Sequence, residues 1–132
     1  MAHHKDPLPD LRATVQAYWK AAGAHDWVTF DKTLADDVTY DLPQTGERIH
    51  GRSALSRFHR DYPAAWHAEV LRTVVQGYSA VTWLHVTVGL EELHAITFFT
   101  ADPTTGLLTD ITEFRPEPYE PPTGREHLVE RY

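Results

Sequence analysis

Residues 11–58, LRATVQAYWKAAGAHDWVTFDKTLADDVTYDLPQTGERIHGRSALSRF, contain the pattern that decides the fold. Their first part has apolar and aromatic residues at helical spacing, which predicts one buried stripe on a helix. The stripe consists of Leu11, Val15, Tyr18, Trp19 and Ala22. A second, shorter helix is predicted over 27–34, followed by a strand over 38–42. After a turn, Gly51 precedes a third helix that contains Phe58.

Beyond Pro63 the apolar spacing changes from the helical period to a period of two, which indicates strands. Long strands are predicted over 67–76, 80–89, 93–100 and 107–115. Helices that precede a run of strands are typical of the α+β class. We therefore predict three N-terminal helices on one face of a strongly curved mixed or antiparallel sheet, in a cone shape that encloses a pocket.

The chain of 132 residues is long enough for one core and shows no internal repeat. We divide it into an N-terminal leader (1–9), one domain (10–115) and a C-terminal tail (116–132). The tail contains four prolines and is expected to be extended before any short terminal helix.

Composition excludes several classes of function. Cysteine is absent, so the chain has neither disulfides nor thiolate sites. The formal charge of −7 argues against a nucleic-acid partner. No apolar run approaches the roughly 18 residues of a membrane span, so we expect no membrane association and a cytoplasmic location. Glycine-rich phosphate loops and HxH or HExxH motifs are missing, and we expect neither cofactor nor metal.

Four segments together resemble a known family: YWKAAGAHDW, LADDVTYDLP, IHGRSALSRF and, in the last strand, DITEF. Over nearly its whole length the chain resembles the nuclear transport factor 2-like superfamily, specifically its SnoaL-like polyketide cyclase and ketosteroid isomerase branch. The resemblance implies a homodimer with a mainly apolar pocket. Members include isomerases, cyclases, dehydratases, epoxide hydrolases and binding modules, so the resemblance implies the fold more firmly than the chemistry.

A comparison with the ketosteroid isomerases of that branch matches only in part. Tyr18 corresponds to the tyrosine that donates to the oxyanion, and Phe58 to a pocket phenylalanine. His59 replaces the tyrosine that supports the oxyanion donor. The aspartate that acts as general base falls at Leu42, one residue past Asp41, and the protonated aspartate that is the second oxyanion donor falls at Thr97, so two of the three catalytic positions are lost. The resemblance therefore argues against a true ketosteroid isomerase.

Tyr18 and His59 are the first candidates for catalysis. The phenol of Tyr18 lies in the apolar stripe of the first helix, and a buried hydroxyl normally finds a hydrogen-bond partner, which His59 can provide. Such a pair could stabilise a developing oxyanion. The alternative is a core tyrosine with a satisfied hydroxyl.

Glu113 and Asp41 are the candidate proton carriers. The resemblance turns the face of the last strand with Ile111, Glu113 and Arg115 towards the pocket, where a carboxylate is a candidate general base. Glu113 could instead form a plain ion pair with Arg115. Asp41 could reach the pocket only through a bulge, because Val38, Tyr40 and Leu42 form the alternate set on that strand.

A larger set of residues is predicted to contact the substrate. The set comprises Trp19, Tyr40, Leu42, Phe58, Trp66, Thr97, Phe99, Ile111 and Arg115. Several of its aromatic residues, together with Trp83, could form a flat apolar wall or belong to the ordinary core. Trp83 and His85 are predicted to lie on the opposite face of their strand.

These residues predict a cofactor-independent acid–base enzyme that acts on a small hydrophobic carbonyl compound, by isomerisation, cyclisation or dehydration. Tyr18 would polarise the substrate oxygen with support from His59, and Glu113 or Asp41 would move the proton. The alternative is a non-catalytic module of the same fold that binds a small ligand or dimerises.

Overall fold

The computed structural model describes residues 10–132, and the predicted leader 1–9 lies outside the described residues. Within these residues, three helices and six strands follow one another, with a short 3₁₀ helix near the end. They are α1 (Leu11–Gly23), α2 (Trp27–Asp31), β1 (Leu34–Leu42), β2 (Glu47–His50), α3 (Arg52–Arg60), β3 (Trp66–Gln76), β4 (Ser79–Val88), β5 (Glu91–Ala101), β6 (Leu108–Phe114) and the 3₁₀ helix (Glu126–Leu128).

The six strands form one mixed sheet in the order β2-β1-β6-β5-β4-β3. Strands β1 and β6 pair in parallel, and the remaining neighbours pair antiparallel. A break in register between Val70 and Arg72 marks a bulge in β3, which increases local bending. This architecture confirms the predicted α+β class and the mixed, curved sheet with three helices on one face.

The predicted second helix is too long at its C-terminal end. Asp26 caps α2 through its side chain, which accepts from the Thr29 amide, but the helix ends at Asp31. Leu34 already pairs with Leu108 across β1 and β6. Strand pairing between distant segments therefore overrides the local helical spacing.

The core lies between the helices and the concave face of the sheet. Alternate residues of β4 and β5 point inwards, so Leu84 and Phe99 are buried whereas Trp83 and Phe98 are exposed on the outer face. Tyr18 of α1 packs against Phe99 with ring centroids 5.2 Å apart. The period-two pattern thus fixes which side chains can reach the interior.

The tail after β6 has no regular element until the 3₁₀ helix, and most of its residues are exposed. This agrees with the extended tail expected from its prolines. Among residues 10–132, no helix is long and apolar enough to cross a membrane.

Candidate functional site

A cavity of about 410 Å³ opens at one end of the cone. The β1–β2 turn, the end of α3, the β4–β5 turn and the start of the tail surround it. Its wall is formed by Leu42, Gln44, Thr45, Glu47, Phe58, Tyr62, Pro63, Val88, Glu91, Leu93, Glu113, Arg115 and Glu117. Six of these thirteen residues are apolar or aromatic and seven are polar or charged, so the cavity combines apolar wall with more hydrogen-bonding groups than most small-molecule sites have.

Glu113 is the buried carboxylate of this cavity. The residue is only 2% exposed, although it borders the cavity wall. Thr97 Oγ1 donates a hydrogen bond of 3.1 Å to Glu113 Oε1. Arg115 Nε donates to the other oxygen, Oε2, and completes an ion pair. The sequence left open whether Glu113 faces the pocket or pairs with Arg115, and the structure shows both.

Arg115 links the carboxylate to the mouth of the cavity. Its guanidinium lies 5.5 Å from the centre of the Tyr62 ring, and Arg115 Nη1 donates a hydrogen bond of 3.4 Å to the Tyr62 hydroxyl. Burial alone would lower the pKa of Arg115, but the charge of Glu113, its hydrogen bond and smaller contributions from Tyr40 and Tyr62 together outweigh burial and raise it. Arg115 therefore stays charged and can donate to an anionic oxygen in the cavity.

Tyr18 and His59 form the hydrogen bond that the sequence suggests, with 3.2 Å between Tyr18 Oη and His59 Nε2. Both residues are buried. Burial, with a smaller contribution from Arg115, lowers the pKa of His59 to about 3. Burial, followed by the charge of Glu113, raises the pKa of Tyr18 well above its usual value. The pair is thus neutral near pH 7.

The Tyr18 phenol does not border the cavity, contrary to the expectation that it contacts a substrate oxygen. The aromatic stripe of α1 packs in the core against Phe30 and Phe99, and the Tyr18 hydroxyl is hydrogen-bonded to His59. The Tyr18–His59 pair consequently lies behind the wall that contains Glu113.

Tyr40 contributes a second buried phenol. It is fully buried, and its hydroxyl has no hydrogen-bond partner among the described residues. Burial raises the pKa of Tyr40, and the charge of Glu113 raises it further, so this phenol stays protonated. Its ring lies 6.0 Å from that of Phe58, which lines the cavity.

Asp41 is not part of this site. Its carboxylate accepts two hydrogen bonds from Arg48 on β2, of 2.7 and 3.0 Å, which lower the pKa of Asp41. Without a bulge at this point, Val38 and Tyr40 point inwards and Asp41 points away. The hypothesis of Asp41 as proton carrier is therefore wrong in its geometry.

The predicted substrate contacts divide into two groups. Leu42, Phe58 and Arg115 line the cavity. The others do not, because they pack within the core or beside it: Trp19, Tyr40, Trp66, Thr97, Phe99 and Ile111. Trp83 lies on the outer face of the sheet, as its strand position predicts, and therefore cannot belong to an inner aromatic wall.

Sequence reasoning missed the residues at the mouth of the cavity. Gln44, Glu47 and Tyr62 lie in or next to turns, where no periodicity indicates a direction. Tyr62 shares a helical face with Phe58, and this spacing was the one available signal.

A larger surface groove of about 620 Å³ is lined on another side by Asp36, Asp37, Asp102 and Asp110, among others. It has few apolar side chains and no buried ionisable group. Among residues 10–132, no group of three or more His, Asp or Glu is arranged to hold a metal ion. We therefore place the candidate site in the cavity of Glu113.

A cone-shaped α+β domain with a cavity at one end defines the structural class. The family model of the SnoaL-like domain matches residues 15–127, and the chain belongs to this family. No curated protein matches the chain.

Three solved structures illustrate the similarity. A protein from Kribbella flavida DSM 17836, provisionally named a ketosteroid isomerase, shares 43% identity, with 92% of this chain and 89% of that chain covered and a TM-score of 0.87. An NTF-2 like protein of unknown function from Burkholderia xenovorans LB400 shares 26% identity (92% and 94% covered, TM-score 0.78). A provisionally named SnoaL-like polyketide cyclase from Shewanella denitrificans OS-217 shares 17% identity (82% and 91% covered, TM-score 0.71) and supports the fold alone.

Proposed function

We propose that this protein is a cofactor-independent acid–base enzyme that moves a proton at carbon in a small hydrophobic carbonyl compound. The observation that carries the proposal is the carboxylate of Glu113, nearly inaccessible to solvent yet placed at the wall of a partly apolar cavity. Buried carboxylates in such sites are typical proton carriers. Isomerisation, cyclisation and dehydration all begin with this proton transfer.

The geometry supports a division of roles between neighbouring groups. Glu113 would accept the proton from the carbon next to the carbonyl group. Arg115 is a charged donor at the same wall and would stabilise the enolate oxygen that forms. Thr97 holds the carboxylate in place through its hydrogen bond. The Tyr18–His59 pair, which does not reach the cavity, would support the wall from behind rather than polarise the substrate.

The proposal can be tested without the natural substrate, because removal of an α-proton is visible as deuterium exchange. We would incubate the protein in D₂O with 2-tetralone and with 1-indanone and follow loss of the α-proton signal by NMR. General-base catalysis is commonly worth about 10²–10⁴-fold. We therefore expect Glu113→Gln to slow the enzymatic exchange by at least about 100-fold.

Asp41→Asn is the matched control, because it neutralises a carboxylate that lies away from the cavity. It should leave the exchange rate unchanged, and circular dichroism should show both variants folded. Equal exchange rates for the native protein and folded Glu113→Gln would contradict the proposed role of Glu113.

A second candidate is a non-catalytic member that dimerises. Three aromatic residues on the outer face of the sheet, Trp83, Phe98 and Phe114, are 41%, 47% and 38% exposed. A sheet face with this much exposed aromatic surface fits association with a second copy. Sedimentation of the native protein and of Phe98→Asp tests this: a dimer that dissociates in the variant supports it, and a monomeric native protein contradicts it.

A further inference from the structure

Three glutamates from separate parts of the chain surround the mouth of the cavity. Glu47 begins β2, Glu91 begins β5 and Glu117 lies in the tail. All three are exposed, and none forms an ion pair with a described residue. Strand pairing and the path of the chain after β6 bring them to one opening, although 70 positions separate the first from the last.

The lining of the cavity is therefore strongly negative. Deeper inside, the charge of Glu113 is balanced by Arg115. Four glutamates and one arginine give the lining a net charge of −3, which comes entirely from the mouth. Four of thirteen lining residues are glutamates, whereas Asp and Glu together account for 19 of 132 residues in the chain. Acidic residues are thus more frequent in the cavity lining than in the protein as a whole.

The wall between the mouth and the buried ion pair is largely apolar. Phe58, Tyr62 and Leu93 provide most of this apolar surface. A complementary ligand would combine an apolar body against this wall with a polar or charged group at the mouth.

We propose that the cavity selects an apolar molecule with a positively charged group, such as a protonated amine, that lies at the glutamate-lined mouth, and that it rejects carboxylates and phosphates. This inference rests on the same cavity as the proposed function and adds the charge class of its substrate, an amine-bearing carbonyl compound. Coulomb attraction favours a cation there and disfavours an anion, although solvent exposure of the glutamates weakens both effects.

Three probes with one naphthalene body and different charges test the inference: 1-naphthylmethylamine, 1-naphthylmethanol and 1-naphthoate. Dissociation constants would be measured by calorimetry at pH 7 and low ionic strength. We expect the amine to bind about tenfold more tightly than the carboxylate, with the alcohol between them. Because exposed charges are screened, the ratio should shrink towards unity in 0.5 M salt.

Two triple variants separate the mouth from the overall charge. The first removes the mouth charges through Glu47→Gln, Glu91→Gln and Glu117→Gln. The second removes three exposed charges that do not line the cavity, through Glu69→Gln, Glu120→Gln and Glu130→Gln. The first should reduce the amine-to-carboxylate ratio to about twofold or less, and the second should leave it near the native value.

Equal affinity for amine and carboxylate, an equal loss of selectivity in both triple variants, or no binding of any probe would each overturn the inference. These measurements detect binding and need no turnover. If the amine is preferred but Glu113→Gln leaves deuterium exchange unchanged, the charge selection stands and the proposed enzymatic function fails. If deuterium exchange depends on Glu113 but no charge preference exists, the proposed enzymatic function stands and the charge selection fails.

Discussion

The buried His59 makes a prediction about how stability depends on pH. Its imidazole is buried, hydrogen-bonded to Tyr18, and has its pKa lowered from 6.5 to about 3, mainly by burial. The unfolded chain therefore binds a proton at His59 over a pH range in which the folded chain does not. Acidification from pH 6.5 towards 3 favours the unfolded state, and the full contribution of neutral His59 to stability is present only above pH 6.5.

The magnitude follows from the two pKa values. Each pH unit between them removes about 1.4 kcal/mol from the free energy of unfolding. Between pH 7.5 and pH 5.0, only the 1.5 units below 6.5 count, and the loss attributable to His59 is about 2 kcal/mol. This is a considerable part of the roughly 5–15 kcal/mol that stabilises a typical domain.

Urea unfolding at pH 5.0 and 7.5, followed by tryptophan fluorescence, measures this loss. Trp66 Nε1 donates a hydrogen bond of 3.3 Å to the His59 carbonyl, so one of the four tryptophans that contribute to the emission lies next to His59. His59→Gln removes the titrating group, and we expect this variant to lose about 2 kcal/mol less than the native protein over the interval. His127→Gln, at an exposed position, should behave like the native protein. Parallel losses in the native protein and His59→Gln would refute the reasoning.

Two further substitutions test the supports of the site. Thr97→Val keeps the side-chain volume but removes the hydrogen-bond donor to buried Glu113, and we expect the free energy of unfolding to fall by about 1–3 kcal/mol. Thr100→Val, on the exposed face, is the control and should change it little. Equal effects of the two substitutions in urea unfolding would argue against a stabilising role of this hydrogen bond. Gly51 has a φ of 94°, so Gly51→Ala should lower the free energy of unfolding by about 1–3 kcal/mol. Gly23→Ala is the control and should be tolerated, because no atom lies within 4 Å of the added carbon. Comparable thermal midpoints for the two variants would contradict this explanation.

Much of the fold could be predicted from the sequence because each element has a clear period. The stripe on α1 and the alternation on β4 and β5 decide which residues are buried, and they place Trp83 outside. The end of α2 could not be predicted, because it depends on the pairing of Leu34 with Leu108, a contact between distant parts of the chain.

The candidate site was predictable only where strand periodicity applies. Glu113 and Arg115 share a face of the last strand, so their ion pair follows from spacing, whereas the orientation of that face towards the cavity was implied only by the family resemblance. The depth of Tyr18 did not follow, since a helical stripe indicates burial but not the distance to a cavity. The mouth residues could not be predicted from the sequence either, because turn geometry, strand pairing and the path of the tail determine where Glu47, Glu91 and Glu117 meet.

The parallel pairing of β1 with β6 determines when this molecule can become complete during synthesis. Leu34 and Leu108 pair although 74 positions separate them in sequence. Strands β1 and β2 therefore cannot join β3, β4 and β5 until the last strand, β6, has left the ribosome. Until then, one edge of β1 and one edge of β5 present unpaired amide and carbonyl groups to other chains. A nascent chain that stalls before Leu108 would lack both Glu113 and the strand that closes these edges, and would be a target for chaperones.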